Sequence, residues 1–173
     1  MKIDLLHLET LVNFTNLHKM DIPRLDCSYR AEYEPQKDES FIYYEWVVSA
    51  RLPVVNGSLI ARMPSLQASC IKLIEAMQAK DYKIPSATTL KIISNDSQLE
   101  KLFLRLQQLT IDKIGYALFI TYWANSPDSR PYWSGSIMTN SRWASGWHVR
   151  IEASSLYEVC AQLIEPFQQL EPR

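Results

Sequence analysis

The sequence predicts an α+β fold in which one α-β-β-β-α unit occurs twice, over residues 1–80 and 97–173, with 81–96 as linker. Three observations point to it. Two helical segments, 65–78 and 155–168, share seven of fourteen residues at an offset of 90: Ser65/Ser155, Leu66/Leu156, Cys70/Cys160, Leu73/Leu163, Ile74/Ile164, Glu75/Glu165 and Gln78/Gln168. Two opening helices, HLETLV from His7 and QLEKLF from Gln98, match at an offset of 91. Between the helices of each unit, three stretches alternate apolar and polar residues, which is the period of a strand. Antiparallel sheets with helices on one face are expected. Whether the two sheets join edge to edge or pack face to face is open.

The elements follow in chain order. Leu8, Leu11, Val12 and Thr15 form one face of the first helix, as Leu99, Leu102, Phe103 and Leu106 do in its counterpart. From Cys27 to Glu34, Cys27, Tyr29, Ala31 and Tyr33 share a face, with Ser28, Arg30, Glu32 and Glu34 on the other. Phe41–Leu52 puts Ile42, Tyr44, Trp46, Val48, Ala50 and Leu52 on one side. Asn56-Gly57 is a hairpin signal, and Ser58–Met63 then turns Leu59, Ala61 and Met63 inward. The second unit repeats the plan with strands over Ile114–Ala124, Tyr132–Asn140 and Trp147–Ala153 and a turn at Ser145-Gly146, with Val149 and Ile151 inward. In the linker, Leu90–Ile93 is compatible with a short extra strand. Leu66, Cys70, Leu73, Ile74 and Met77 recur at helical spacing, as do Leu156, Cys160, Leu163, Ile164 and Phe167. Ser97 with Glu100, and Ser155 with Glu158, read as capping boxes. Pro166 is expected to kink or end the last helix near Glu165 unless a turn restarts beyond it. The segment at 117–123 is apolar on both faces, with Ala117, Phe119 and Trp123 on one and Leu118, Ile120 and Tyr122 on the other. Such a strand expects cover on both sides, from an interface between units or chains, or from local helices or the linker.

Bulk properties narrow the class. With 47% apolar and 21% charged residues and a net charge of -1, the chain is globular rather than disordered. A chain of this length buries roughly 70% of its unfolded surface and needs no staples. Its eighteen basic residues are scattered, which argues against a binder that neutralises many phosphates on one face. Cys27, Cys70 and Cys160 are odd in number and lack C-x-x-C spacing, which suits a reducing compartment. Asp4 and Glu9 interrupt the apolar start, so no secretory signal and no membrane span is expected and a cytoplasmic protein is the reading.

Helix, three antiparallel strands, helix resembles the element order of double-stranded-RNA-binding domains, over both units. That family opens its second helix with lysines that meet phosphate. Here the corresponding starts are Pro64-Ser65-Leu66-Gln67-Ala68 and Ala153-Ser154-Ser155-Leu156-Tyr157, with no lysine. The loops PQKDES and SPDSRP also depart from the family's Gly-Pro pattern. The resemblance therefore implies a fold order whose basic contacts have been lost, as in members that serve as protein-binding or dimerisation modules.

Catalytic constellations are thin. His7 and His18 sit on or beside the first helix with no third ligand in view, and His148 alternates away from Val149 and Ile151. Cys70 and Cys160 fall in apolar helix stripes, where packing explains them. The four glycines form no phosphate loop, and no metalloprotease, nucleophile-elbow or calcium-loop motif occurs. No metal and no cofactor is expected. The positive feature is aromatic: Trp123, Trp133, Trp143 and Trp147 cluster with Arg130, Arg142 and Arg150. Tyr, Trp and Arg dominate interface hot spots.

The expectation is thus a non-catalytic protein-binding module of the inhibitor, immunity or adaptor kind, from a bacterium or mobile element. Its contact would be Arg130, Trp133, Arg142, Trp143, Trp147 and Arg150. RNA binding on a degenerate fold is the second reading, and an enzyme using Cys70, Cys160 or His148 the third. A homodimer is open.

Overall fold

The computed structural model describes residues 5–17, 24–33, 42–51, 58–85, 97–113, 115–124, 130–139 and 146–171. The order is α1 (Leu6–Leu17), β1 (Arg24–Tyr33), β2 (Ile42–Arg51), β3 (Ser58–Met63), α2 (Leu66–Gln78), α3 (Ser97–Asp112), β4 (Tyr116–Trp123), β5 (Tyr132–Thr139), β6 (Trp147–Ala153) and α4 (Leu156–Gln169). The fold is α+β, with one six-stranded antiparallel sheet in the order β3-β2-β1-β4-β5-β6. The strands of the two halves therefore join edge to edge. β1 pairs with β4 from Arg24↔Trp123 to Tyr29↔Leu118. The hairpin signal at Asn56-Gly57, residue Ser145 of the second turn, and Leu90–Ile93 lie outside the described residues. No described helix is long and apolar enough to cross a membrane.

The alternation of each strand decides which side faces the helices. Leu25, Cys27 and Tyr29 of β1 stand opposite Tyr122, Ile120 and Leu118 of β4 on one face, and all six are buried. Trp46, Val48 and Ala50 extend that face on β2, and Trp133, Gly135 and Ile137 on β5. Ring contacts fill it: Trp46 lies 5.0 Å from Tyr29 and 6.1 Å from Phe103, and Tyr122 lies 4.7 Å from Trp133. All four helices pack on this side. Gly135 marks the closest approach, because a Cβ there would stand 2.4 Å from Val159 Cγ1 in α4.

Helix α2 starts at Ser65, whose hydroxyl accepts from the Ala68 N–H, and α4 at Ser155, whose hydroxyl accepts from the Glu158 N–H. The dihedrals of the two caps agree closely, φ -124° and ψ 149° against φ -127° and ψ 148°. Pro166 neither ends nor restarts α4, which runs through it to Gln169. A proline this near the C-terminus costs one donor in the last turn. Phe167, fully buried one residue later, anchors that turn. Helix α1 differs from its expected single apolar face, because every residue from Leu8 to Thr15 is buried. Its threonines tolerate this by bonding back along the helix, Thr10 to the Leu6 carbonyl and Thr15 to the Leu11 carbonyl.

Two helices cross the junction between the halves. Tyr122 of β4 donates to Asn16 Oδ1 of α1 at 2.7 Å. In the other direction, Phe103 of α3 packs on Trp46 of β2, and Tyr44 of β2 donates to the Ile111 carbonyl at the end of α3.

Candidate functional site

The sheet face opposite the helices is the candidate site, since no described helix packs on it. Its composition follows from strand parity and register. One cross-strand row runs Arg51, Arg24, Trp123, Tyr132 over β2, β1, β4 and β5. The next runs Ile60, Ser49, Asp26, Thr121, Ser134, Glu152 across all six strands. A third runs Arg62, Val47, Ser28, Phe119, Ser136, Arg150. Serine and threonine thus recur through the middle, interrupted by Asp26, Val47 and Phe119, with Ile60, Arg62, Arg150 and Glu152 on the edge strands.

Three members of the first row, Arg24, Trp123 and Tyr132, form a connected stack. Arg24 lies over the Trp123 ring, Cζ 5.3 Å from its centroid. Trp123 stacks on Tyr132 at 6.0 Å and 11°, and its indole N–H donates to Ser134 Oγ at 3.2 Å. Asp26 closes the seam between the halves: it accepts from Arg24 Nε at 2.7 Å and from Thr121 Oγ1 at 2.8 Å. Arg62 pairs with Glu45 at 3.2 Å and Arg150 with Glu152 at 2.6 Å. Ile60, 56% exposed, is the most open large apolar side chain of the sheet.

One compositional fact separates this surface from an ordinary solvated sheet. The six strands contain five arginines, Arg24, Arg30, Arg51, Arg62 and Arg150, and no lysine. Parity places all five on the open face. Lysine and arginine are equally abundant in the chain, nine of each, so the sheet has selected the planar, stacking cation.

The residues expected from sequence divide. Trp133 is only 1% exposed and packs on Tyr122, so it belongs to the core. Its parity on β5 puts it on the helix side. Arg150 stands on the open face, and Arg130 is exposed two residues before Tyr132. Arg142 and Trp143 lie outside the described residues. For Trp147 the backbone alone is described, in β6 opposite Met138 at an irregularity in the register. Trp123, Tyr132, Arg24, Arg51 and Arg62 were missed as a group because only the β1·β4 register brings them together. The apolar face of Phe119 and Trp123 was their one visible signal.

The candidate catalytic groups are not assembled. Cys70 and Cys160 are buried in the helix stripes, and burial pushes both thiols well above the ordinary range. Cys27 is raised too, first by burial and then by Cys70 and Asp26 nearby. His148 is exposed, lies 2.6 Å from Thr139 Oγ1 and meets the edge of Tyr116. His7 is half-buried on α1, and His18 lies outside the described residues. Among the described residues no three His, Cys, Asp or Glu side chains gather as a metal site would require. Neither a family model nor a curated protein matches the chain.

Proposed function

We propose that this chain is a non-catalytic protein-binding module, of the inhibitor, immunity or adaptor kind, whose contact surface is the open sheet face. The observation that supports it is the selection of five arginines and no lysine on that face, beside Phe119, Trp123 and Tyr132. Protein interfaces are enriched in Arg, Trp and Tyr and depleted in Lys, because the guanidinium and the rings bury area at low entropy cost. Of the sequence-derived set, Arg150 stands on this face and Arg130 is exposed two residues before Tyr132. Three free, buried thiols fit work in a reducing cytoplasm. Affinity capture from the native host, with and without nuclease, tests the reading. The parent chain should retain a nuclease-resistant protein other than itself, and Trp123→Ser with Arg62→Glu should release it. Retention at full strength by that variant removes the face. Loss only with Trp143→Ala and Trp147→Ala moves the contact to the β5–β6 turn.

The stacked Arg24–Trp123–Tyr132 row favours a second reading, in which unpaired RNA bases stack on the face and Arg51 takes phosphate. Binding of that kind weakens steeply as salt rises, so a salt-sensitive gel shift supports it and no shift at low salt removes it.

The architecture itself reads as a tandem duplication with a double-stranded-RNA-binding-like element order in each half. The matched serine caps and the palindromic strand order support that origin. On this reading the scaffold was kept and the open face diverged, arginine-rich in one half and aromatic in the other.

A further inference from the structure

Strand parity turns Arg24, Arg30, Arg51 and Arg62 of β1, β2 and β3 to the open face with Asp26, Glu32 and Glu45, so four arginines stand with three carboxylates. One positive charge remains, and the contacts locate it. Glu45 takes Arg62 at 3.2 Å. Arg30 is half-buried and already engaged. Asp26 Oδ2 accepts from Arg24 Nε at 2.7 Å, and its Oδ1 accepts from Thr121 Oγ1 at 2.8 Å. Thr121 belongs to β4, so this second bond draws Asp26 toward the seam and away from β2. Arg51 is exposed on β2, directly opposite Arg24, and among the described residues no carboxylate pairs with it. Like charges directly opposite on a ladder destabilise it. An acidic residue at position 51 would relieve that repulsion, so arginine there works against the stability of the free chain.

We infer that Arg51, with Arg24 beside it, receives a single carboxylate, an Asp or Glu side chain of the protein partner. The inference rests on the reading of the open face as a protein contact and names the group that the partner presents there. A guanidinium is a planar fork that matches a carboxylate with two parallel hydrogen bonds. Asp26 holds Arg24 through Nε, which leaves the N–H donors of its Nη groups for the incoming anion. Ser58, exposed and opposite Arg51 on β3, continues the row with a hydroxyl. One carboxylate cancels the one uncompensated charge and turns a repulsive pair into an attractive triad. A nucleic-acid backbone fits worse, because its affinity comes from neutralising many phosphates. Arg24, Arg62 and Arg150 are paired with Asp26, Glu45 and Glu152, whose charges repel phosphates arriving beside the first.

Nuclear magnetic resonance of the full chain, read at the arginine Nε–Hε signals, tests the site. The probe is N-acetyl-glutamate N′-methylamide, with the neutral glutamine analogue, inorganic phosphate and a single-stranded oligouridylate as comparators. The glutamate probe should shift the Arg51 and Arg24 signals saturably, in the millimolar range expected of so small a ligand, and less as salt rises. The glutamine analogue should leave them in place. Arg51→Gln should weaken the glutamate response by about tenfold or more, the loss of a charge-assisted hydrogen bond. Arg51→Glu reads the site without any ligand: its urea midpoint should rise, since the like-charge pair is gone, while the response to the glutamate probe disappears. Circular dichroism checks that both variants fold. An absent or unsaturable glutamate shift overturns the inference, as do equal shifts from the glutamine analogue or a lower midpoint for Arg51→Glu. Phosphate or oligouridylate shifting Arg51 where the glutamate probe does not gives the site to phosphate and overturns it too. The broader reading fails separately, when no different protein is captured. A partner retained by the face while Arg51 ignores the glutamate probe overturns this inference alone.

Discussion

At position 135 a Cβ would stand 2.4 Å from Val159 Cγ1 and 2.6 Å from Leu163 Cδ1, closer than carbon atoms approach. Glycine is therefore what lets α4 lie against β5. Gly135→Ala should cost about 1–3 kcal/mol as α4 is pushed outward. Adding Val159→Ala should recover part of that loss in a double-mutant cycle, because the smaller side chain vacates the space. Urea midpoints measure both, and strictly additive losses would deny the contact. The three thiols give a second prediction at this scale. Burial raises the pKa of Cys27, Cys70 and Cys160, so the folded chain holds these protons more tightly than the unfolded chain. Their contribution is complete below the ordinary thiol value of about 8.5 and is lost as pH climbs above it toward the folded values. The loss is about 1.4 kcal/mol per pH unit for each thiol, so about 4 kcal/mol per unit for three. The urea midpoint should fall steeply on approach to about pH 10, and less steeply in Cys70→Ala with Cys160→Ala. A midpoint flat across that range would place the thiols in contact with water.

Helices α2 and α4 begin alike, and their caps can be tested alike. Ser65→Ala and Ser155→Ala each remove a hydroxyl that accepts an otherwise orphaned N–H. Each should cost about 1 kcal/mol, a fall of roughly 2–4 °C in Tm by thermal scan, and the two falls should be similar. These caps were legible in the sequence because a serine before an apolar stripe acts through its own side chain. So were the strands, because alternation at Cys27–Tyr33 or Ser58–Met63 is a local property. Trp133 was not legible as core. Its neighbours Tyr132 and Ser134 show the alternation, but nothing local says which parity faces α4; the β4·β5 register decides that. Nor was the full burial of α1, whose Glu9, Asn13 and Thr10 look like a solvated face until tertiary contacts cover them. The open face was least legible, since Arg51 and Tyr132 are 81 positions apart and meet in one row only through three successive pairings.

For the molecule as a whole, the join between the halves decides how it unfolds. Residues 97–173 and 1–80 could have been two bodies on a linker. Instead β1 and β4 share a ladder, Asp26 ties them on the open side, and helices reach across on the other. Asn16 of α1 holds Tyr122 of the second half, while Phe103 of α3 packs on Trp46 of the first. Neither half can open without exposing apolar surface of the other, including the Cys27–Ile120 and Leu25–Tyr122 pairs at the centre of the sheet. The chain should therefore melt in one transition. Val48→Ala in the first half and Ile137→Ala in the second each empty a fully buried site and should cost about 1–3 and about 2–5 kcal/mol respectively. Each should lower the single urea midpoint read by far-ultraviolet circular dichroism and by tryptophan fluorescence to the same extent. Two separated transitions, or a variant that shifts one probe and leaves the other, would show that the ladder and crossed helices do not couple the halves.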